Sequence, residues 1–524
     1  MGEKMLAPWT DKFFKIPDSD LAIYKRVLPA ESPLLDALEL INWTALDAQV
    51  RSFYCEKYGQ PAIPPLIMLK LEFLSFFYRL SDAKVIQRCQ TDLLFRWFLQ
   101  VPICAPLPNS SSLTRFRGRL GAEGFKKVFD QLISSAREQD LLKDRLRLKD
   151  ASHVLANVAI PTTLSLLAQL RNRMLDIVRQ LDQQSAIGFE IKAEQVRLET
   201  AQAEVEVKLQ SRLELVIDIL KWLQDQPPEP PSPTRDSLWK KLAAIRQLAE
   251  KIVRDCQQPG QGNRTLSVVD PDARRGMHGS FYEGYMVDVM MDADSQLITE
   301  VEVIPANGAE ANDTIHLVEM EQQTHGNQIA QISLDGAGFN GPMLRTLEDP
   351  AGLAVDVISP PTTREETAGF AASKFQLNED KTRVTCPGGQ VSGKAWFKKE
   401  KPHSRFFNFG KTRCLACPLL SQCHPRMKET SRWGRQVNKN EFEHEYERAR
   451  QKSTTAEYER VRREHPAIER KINEIVRHHG GRRARYWGLS KVRIQQIMTC
   501  FVINVKRILK LLKGEVEVCV LTMQ

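Results

Sequence analysis

The spacing of apolar residues changes abruptly at Arg145, and that change requires a chain built of unlike parts. Upstream, residues 20–145 read as helices. Ser32-Pro33 places a cap before a first-turn proline, with Leu34, Leu35, Leu38 and Ile41 following at helical spacing. A strongly apolar helix runs from Pro65 to Tyr78, and Ser81-Asp82 caps a helix carrying Val85, Ile86, Cys89, Leu93, Leu94, Trp97 and Phe98. The turn Pro108–Ser112 caps Leu113–Leu120, Gly121 ends that helix, and another starts at Phe125. Short helices with Gly-containing turns suit either a helix-turn-helix DNA reader or a plain helical bundle. At Arg145–Asp150 the apolar residues alternate, which predicts a strand ending in an acid, Asp150.

Helical spacing returns at Pro161. Leu167, Leu170, Met174, Ile177 and Leu181 form a narrow stripe of the coiled-coil kind. A second long helix is expected over Phe189–Gln224. The proline run at 227–233 forbids helix, and a third helix follows with Leu238, Leu242, Ile245, Leu248 and Ile252 on one face. Residues 158–262 thus read as a helical insertion, by default a stalk or dimerisation arm. Beyond it the pattern is mixed. A hairpin pairs Phe281–Asp292 with Leu297–Ile304, Asp313 caps a helix, and the strand Ile329–Leu334 ends in Asp335. The helix Gly341–Leu347 and the strand Leu353–Ile358 complete an α/β sheet flanked by helices.

With 524 residues, three or so domains are expected. A hydrophobic content of 42% excludes a disordered chain. No apolar run approaches the roughly 20 residues needed to span a bilayer. The N-terminus lacks the apolar stretch of a secretory signal, so a cytoplasmic protein with reduced cysteines is expected. The net charge of +9 conceals its distribution. Residues 1–150 hold 22 basic and 18 acidic side chains (+4), residues 151–380 hold 20 and 34 (−14), residues 381–513 hold 32 and 11 (+21), and the last eleven give −2. An acidic middle followed by a basic C-terminal third points to an anionic partner, nucleic acid first.

Three constellations carry chemistry. Asp150 and Asp335 each follow an apolar strand, where ligand sites gather in such sheets, and paired carboxylates suit hard divalent cations. Most acids in that position merely make turns. Cys386, Cys414, Cys417 and Cys423 combine one Cys-x-x-Cys knuckle with two further thiols, a set that can close a structural zinc site. Reduced loop cysteines are the competing reading. Around them lie Trp396, Phe397, Lys398, Lys399, Phe406, Phe407 and Phe409, which suit a nucleic-acid surface. Cys55, Cys89, Cys104, Cys256, Cys500 and Cys519 read as packing residues. Finally, residues 470–513 hold twelve basic side chains and one acid. In a Gly- and aromatic-containing loop, Arg482, Arg483, Arg485, Lys491 and Arg493 can grip phosphates, with Tyr486 and Trp487 available to stack. Glu469 is an oddity at the front of that segment, with Glu464 and Glu474 as rivals for any metal-ligand role.

These stretches resemble bacterial insertion-sequence transposases of the DDE class. The likeness rests on LRLKDASHV around Asp150, VVDPDARRGMHGSFYEGYMVDV, ITEVEVIPANGAEAND, ISLDGAGFNG around Asp335, VTCPGGQVSG with CLACPLLSQC, and HPAIERKINEIVRHHGGRRARYWGLSKVRIQQ around Glu469. The N-terminal PLIMLKLEFLSFFYRLSDAKVIQRCQTDLLFRWFL and PNSSSLTRFRGRL resemble the helical domain that precedes such cores. The resemblance implies a ribonuclease-H-like mixed sheet flanked by helices. It implies an N-terminal helical domain at 20–143, a core at 144–157 and 263–360, and the helical insertion at 158–262. A cysteine-rich module at 375–430 and C-terminal helices at 440–513 complete the layout. It further implies Asp150, Asp335 and Glu469 as ligands of two Mg²⁺ (or Mn²⁺) ions, double-stranded DNA as partner, and a homodimer or larger synaptic assembly. Lys149, Ser152 and His465 depart from the usual residues of the family. A decayed DNA-binding relative, or a metal-dependent nuclease without strand transfer, are the alternative functions. The role of Asp270 and Asp272, in the DPDAR stretch, is left open by the sequence.

Overall fold

The computed structural model describes residues 15–55, 62–226, 236–258, 260, 262–362, 369–399, 401–428 and 430–514. The proline run 227–233, Cys519 and the first fourteen residues lie outside the described residues. In chain order, seven helices come first: α1 (Asp18–Val27), α2 (Pro33–Leu40), α3 (Trp43–Arg51), α4 (Pro65–Phe77), α5 (Asp82–Thr91), α6 (Leu93–Leu99) and α7 (Ser110–Glu138). Strand β1 (Leu146–Leu155) is followed by α8 (Thr163–Leu181), α9 (Gln183–Glu199), α10 (Val205–Gln224) and α11 (Asp236–Gln257). Then come β2 (Arg274–His278), β3 (Ser280–Asp292), β4 (Ile298–Pro305), α12 (Glu310–His325), β5 (Gln331–Ser333), α13 (Gly341–Leu347) and β6 (Asp356–Ile358). The cysteine module holds β7 (Gln376–Leu377), β8 (Val384–Thr385), β9 (Trp396–Lys398), β10 (Lys401–Asn408), α14 (Lys411–Leu415), α15 (Leu420–Cys423) and β11 (Gln436–Asn440). The chain closes with α16 (Glu443–Lys452), α17 (Ala456–Glu464), α18 (Pro466–Asn473) and α19 (Leu489–Leu512).

Two compact units divide the chain. The first comprises Met1–Lys143, Asp150–Asp313 and Ala467–Gln524; the second comprises Asp144–Lys149 and Thr314–Pro466. The boundary falls inside β1, so each half of that strand is described with its own unit.

In the first unit, α4 is buried almost all round, as its apolar sequence demands. Phe73 on α4 meets Trp43, Phe98 and Phe501 at ring separations of 5.5, 5.4 and 6.3 Å. Phe501 belongs to α19, which packs against α4, α7 and β4. Asn504 of α19 answers both backbone groups of Ile298 on β4, accepting from its N–H at 2.8 Å and donating to its carbonyl at 2.7 Å. One expectation needs correction here. The helix expected from Ser81 through Phe98 is broken at Asp92, whose carboxylate caps Leu94 and Phe95 and starts α6 afresh. As expected, Gly121 breaks the helical backbone at φ 61°, so α7 is two helical stretches joined across a kink.

Helices α8–α11 pack on one another around a shared core that includes Leu167, Leu170, Met174, Val216, Ile219 and Ile252. The single helix expected over Phe189–Gln224 is instead two. Thr200 closes α9 with its hydroxyl on the Val196 carbonyl (2.6 Å), and α10 restarts at Val205. The sheet of this unit runs β2-β3-β1, and β4 pairs with the stretch of β3 that follows the one paired to β2. β3 and β4 form the expected hairpin. Strand β2 is additional to the expected elements, because Arg-Arg-Gly-Met-His carries no apolar alternation.

In the second unit, the first half of β1 runs parallel to β5, and β5 parallel to β6. Arg147 on β1 and Glu321 on α12 are both fully buried and meet bidentately, with Nη2 and Nε at 2.7 and 2.9 Å from Oε1. Such a charge-assisted fork fixes strand against helix, and Asp144 also accepts from Arg147 Nη2 at 2.8 Å. The helix expected to start at Asp313 begins earlier, at Glu310. The result is a mixed α/β architecture of the ribonuclease-H-like kind behind a helical N-terminal region. Among the described residues, no helix is long and apolar enough to cross a membrane.

Candidate active site and nucleic-acid interface

The three acids singled out by sequence stand in different local settings. Asp150 is half-buried within β1, and its Oδ1 accepts from the N–H of Ala151 at 2.8 Å. It does not end the strand, as its sequence context suggests. β1 continues to Leu155, because residues 482–484 supply a further backbone partner. Leu155 N–H donates to the Arg482 carbonyl (2.8 Å) and Ala484 N–H to the Leu155 carbonyl (2.9 Å). The segment that follows Glu469 is thereby pinned to the strand that carries Asp150, within the first unit.

Asp335 lies just beyond β5 in the second unit. It is exposed, and its Oδ1 accepts from Ala337 N–H at 2.9 Å, starting a short 3₁₀ turn. The strand before it is held by α17 and the residue after that helix. Arg462 donates to the Leu334 carbonyl at 2.7 Å, and Ser333 Oγ lies 3.0 Å from His465 Nδ1. His465 is buried, and burial, with Arg462 adding to it, pushes its pKa down to about 4 against the opposing pull of Asp335. Sequence alone does not reveal this holding arrangement, since His465 registers there only as an unusual residue four before Glu469.

Glu469 sits exposed in the first turn of α18. Its two rivals are engaged. Glu464 pairs with Arg145 at 2.7 Å and Arg460 at 3.0 Å, and Glu474 pairs with Lys471 at 2.9 Å. Among the described residues Glu469 makes no ion pair, so its carboxylate is available to a ligand.

The basic loop separates into cations with protein partners and cations facing solvent. Arg482 donates to the His153 carbonyl at 2.7 Å, and its pKa is lowered by partial burial. Arg485 donates to the Leu80 carbonyl at 2.7 Å and lies over the Phe76 ring at 4.7 Å. Arg493 pairs with Glu302. Arg483 and Lys491 are exposed. Tyr486 is not a free stacking ring: it lies against Arg117 at 4.9 Å, and burial pushes its pKa up to about 12. Trp487 stays exposed with its indole N–H on the Asn157 carbonyl at 3.1 Å. Gly480, at φ 71°, makes the turn that this loop needs after α18.

Asp270 and Asp272 now have a role. Asp270 accepts from Gly488 N–H (3.1 Å) and from the Tyr285 hydroxyl, and Asp272 accepts from Leu489 N–H (2.9 Å). Gly488 has no side chain to cap α19, so two remote carboxylates satisfy its orphan N–H groups and oppose its dipole. Burial raises the pKa of Asp270, and these hydrogen bonds work against that rise.

In the second unit, Cys386, Cys414, Cys417 and Cys423 together line one small cavity of about 30 Å³, alongside Phe375, Phe409 and Arg435. Backbone N–H groups already point at sulfur: Gln390 at Cys386 (3.3 Å) and Arg435 at Cys414 (3.4 Å). A Cβ on Gly434 would stand 2.5 Å from Cys414 Sγ, so only glycine lets the chain pass there. Burial, offset by Arg435, raises the Cys423 thiol pKa, and the other three cysteines add to the rise. A soft cation would relieve that mutual repulsion, and the donor set fits zinc. The remaining cysteines divide: Cys89 and Cys500 are buried packing residues, whereas Cys104, also read as packing, is exposed.

Comparison with known families bears on both ends of the chain. Residues 22–119 match the family described as Transposase domain (DUF772), and residues 385–509 match the family described as Transposase DDE domain. No curated protein and no solved structure matches the chain. The first match covers most of the N-terminal helices, and the second covers the four cysteines of the module, α18 with Glu469, and the basic loop. With a match to a transposase domain before the sheet and to a transposase DDE domain after it, the two matches support an insertion-sequence transposase of the DDE class.

Proposed function

We propose that this transposase cuts DNA at the ends of an insertion element and joins the freed strands to target DNA. Asp150, Asp335 and Glu469 are assigned as the acids that hold two Mg²⁺ or Mn²⁺ ions. The observation that carries the reading is the match of the transposase DDE domain across Glu469, the one acid of its segment that no cation occupies. The donor set fits as well, since all three ligands are hard oxygens. Bound in this way, two divalent ions stabilise charge on the attacking and leaving oxygens of a phosphodiester. In the cut, a water oxygen bonds to phosphorus, the P–O3′ bond breaks, and the 3′ oxygen leaves as a hydroxyl. In the joining step that 3′ oxygen attacks a target phosphodiester and the target's own 3′ oxygen leaves, with no covalent protein intermediate.

Arg483 and Lys491 are the side chains of the basic loop best placed to take phosphates, being exposed where Arg485 and Arg493 are engaged within the protein. The cysteine quartet holds one structural zinc. Because two ends must be brought together, the working form is a dimer or a larger synaptic assembly. The test combines labelled element ends, supercoiled target and Mg²⁺. Joined products are expected; cut products alone make the protein a nuclease, and shifted bands alone make it a binder.

A further inference from the structure

The cysteine module carries a surface that the cutting and joining chemistry does not use. Strands β9, β10 and β11 form an antiparallel sheet in the order β11-β10-β9. Its two faces differ. Phe407 and Val437 are paired across β10 and β11 and point into a small core with Phe375, Val384 and Phe409. The alternate residues therefore line the opposite, outward face. Across that face runs the row Asn438, Phe406, Trp396, each paired to the next by register, with Gln436 and Asn408 paired in the row beside it.

The composition of this face is specific. Trp396 and Phe406 pack against each other, with ring centroids 4.9 Å apart and planes tilted by 30°. Lys398, on the same side of β9 as Trp396, holds its ammonium 5.5 and 5.0 Å from the two rings. Trp396 is 37% exposed. The flanking side chains are amides, of which Gln436 and Asn438 are exposed. No carboxylate stands in either row. From Lys381 to Asn440 the sequence has 14 Lys and Arg against two acids, Glu400 and Glu429.

Flat rings, amides and a lysine, without any acid and inside a strongly basic module, match the chemistry of unpaired bases on a phosphate backbone. Rings take base faces, amides take base edges, and lysine takes phosphate. A paired duplex hides the base faces that such rings bind. We propose that the outward face of this sheet is a second DNA site, which takes single-stranded DNA by stacking bases on Trp396 and Phe406, with Lys398 on the backbone. This rests on the DNA-processing reading above and adds to it a place for strands freed at a cut end.

The test uses the full-length protein with two probes: fluorescein-labelled dT20, and a 20-bp duplex of mixed sequence, both followed by anisotropy. Trp396→Ala and Phe406→Leu are expected to weaken dT20 binding by about tenfold or more while duplex binding stays within about threefold. Lys398→Gln should lower the salt slope for dT20 by about 0.7. Zinc content and circular dichroism, unchanged in Lys398→Gln and Phe406→Leu, separate this from unfolding. If wild type binds dT20 and all three variants bind it equally well, the face is not the site and the inference is overturned, while the transposase reading stands. Equal loss of both probes in the folded variants, or a change only in self-association, overturns it also. Should wild type bind neither probe, both this inference and the DNA-processing reading fall.

Discussion

Ser333 Oγ and His465 Nδ1 lie 3.0 Å apart, joining the end of β5, two positions before Asp335, to the residue that follows α17. Burial keeps His465 neutral, with its pKa pushed down to about 4 from an ordinary value near 6.5. As pH falls from 6.5 towards 4, the unfolded chain takes the proton and the folded one does not, so stability is lost on acidification. At pH 5 that loss is about 2 kcal/mol. Urea unfolding at pH 7 and pH 5 should show this penalty, and His465→Gln should remove about that much of it. Equal acid sensitivity in both proteins would show that His465 titrates normally.

The three acids are expected to behave as a set. Asp150→Asn, Asp335→Asn and Glu469→Gln should each slow end cleavage by about a thousandfold, the scale of several kcal/mol of lost transition-state stabilisation. DNA binding should persist in all three. Glu464→Gln and Glu474→Gln are the controls, because those carboxylates are occupied by Arg145, Arg460 and Lys471. They should keep cleavage within about tenfold of wild type. Retained cleavage in Glu469→Gln together with its loss in Glu474→Gln would move the assignment.

Much of the fold is legible from apolar spacing. The N-terminal helices, the β3–β4 hairpin, β5 with Asp335 after it, and the stripe on α8 all follow from local pattern. The features that do not follow depend on partners distant in sequence. β1 runs past Asp150 because Leu155 pairs with residues 482–484, which no local pattern in LRLKDASHVL reveals. Asp270 and Asp272 cap a helix more than two hundred residues downstream, so their DPDAR context carries no readable signal. The breaks at Asp92 and Thr200 are hidden for a different reason. Asp and Thr side chains compete with helical backbone bonds, and where they win depends on the packing of the flanking apolar faces. For the cations, sequence marks a basic loop but does not tell solvent-facing Arg483 from Arg485, which is turned inward onto Phe76.

That last distinction is measurable. Arg483→Ala and Lys491→Ala should weaken duplex binding and lower its salt slope by about 0.9 for each phosphate no longer neutralised, with no change in melting temperature. Arg485→Ala should do the reverse. It loses a hydrogen bond to the Leu80 carbonyl and its place over Phe76, and should cost about 1–3 kcal/mol of stability. Titrations at several salt concentrations, paired with thermal melts, separate the two classes. A flatter salt slope in Arg485→Ala with unchanged stability would contradict the division.

The cysteine module should depend on metal for its shape. Its apolar core is small, five buried side chains around Phe407, and four thiols line a cavity among them. Such a core cannot hold so many turns by burial alone. Purified protein should carry about one zinc per chain. Cys417→Ser, or removal of zinc by a chelator, should speed proteolytic cutting within residues 375–430 while leaving fragments from the other parts intact. The metal supplies folding free energy only to the module it closes. Gly434→Ala should act likewise without touching a ligand, since its Cβ would stand 2.5 Å from Cys414 Sγ. Full zinc retention with an unchanged digestion pattern in both variants would remove the quartet as a metal site.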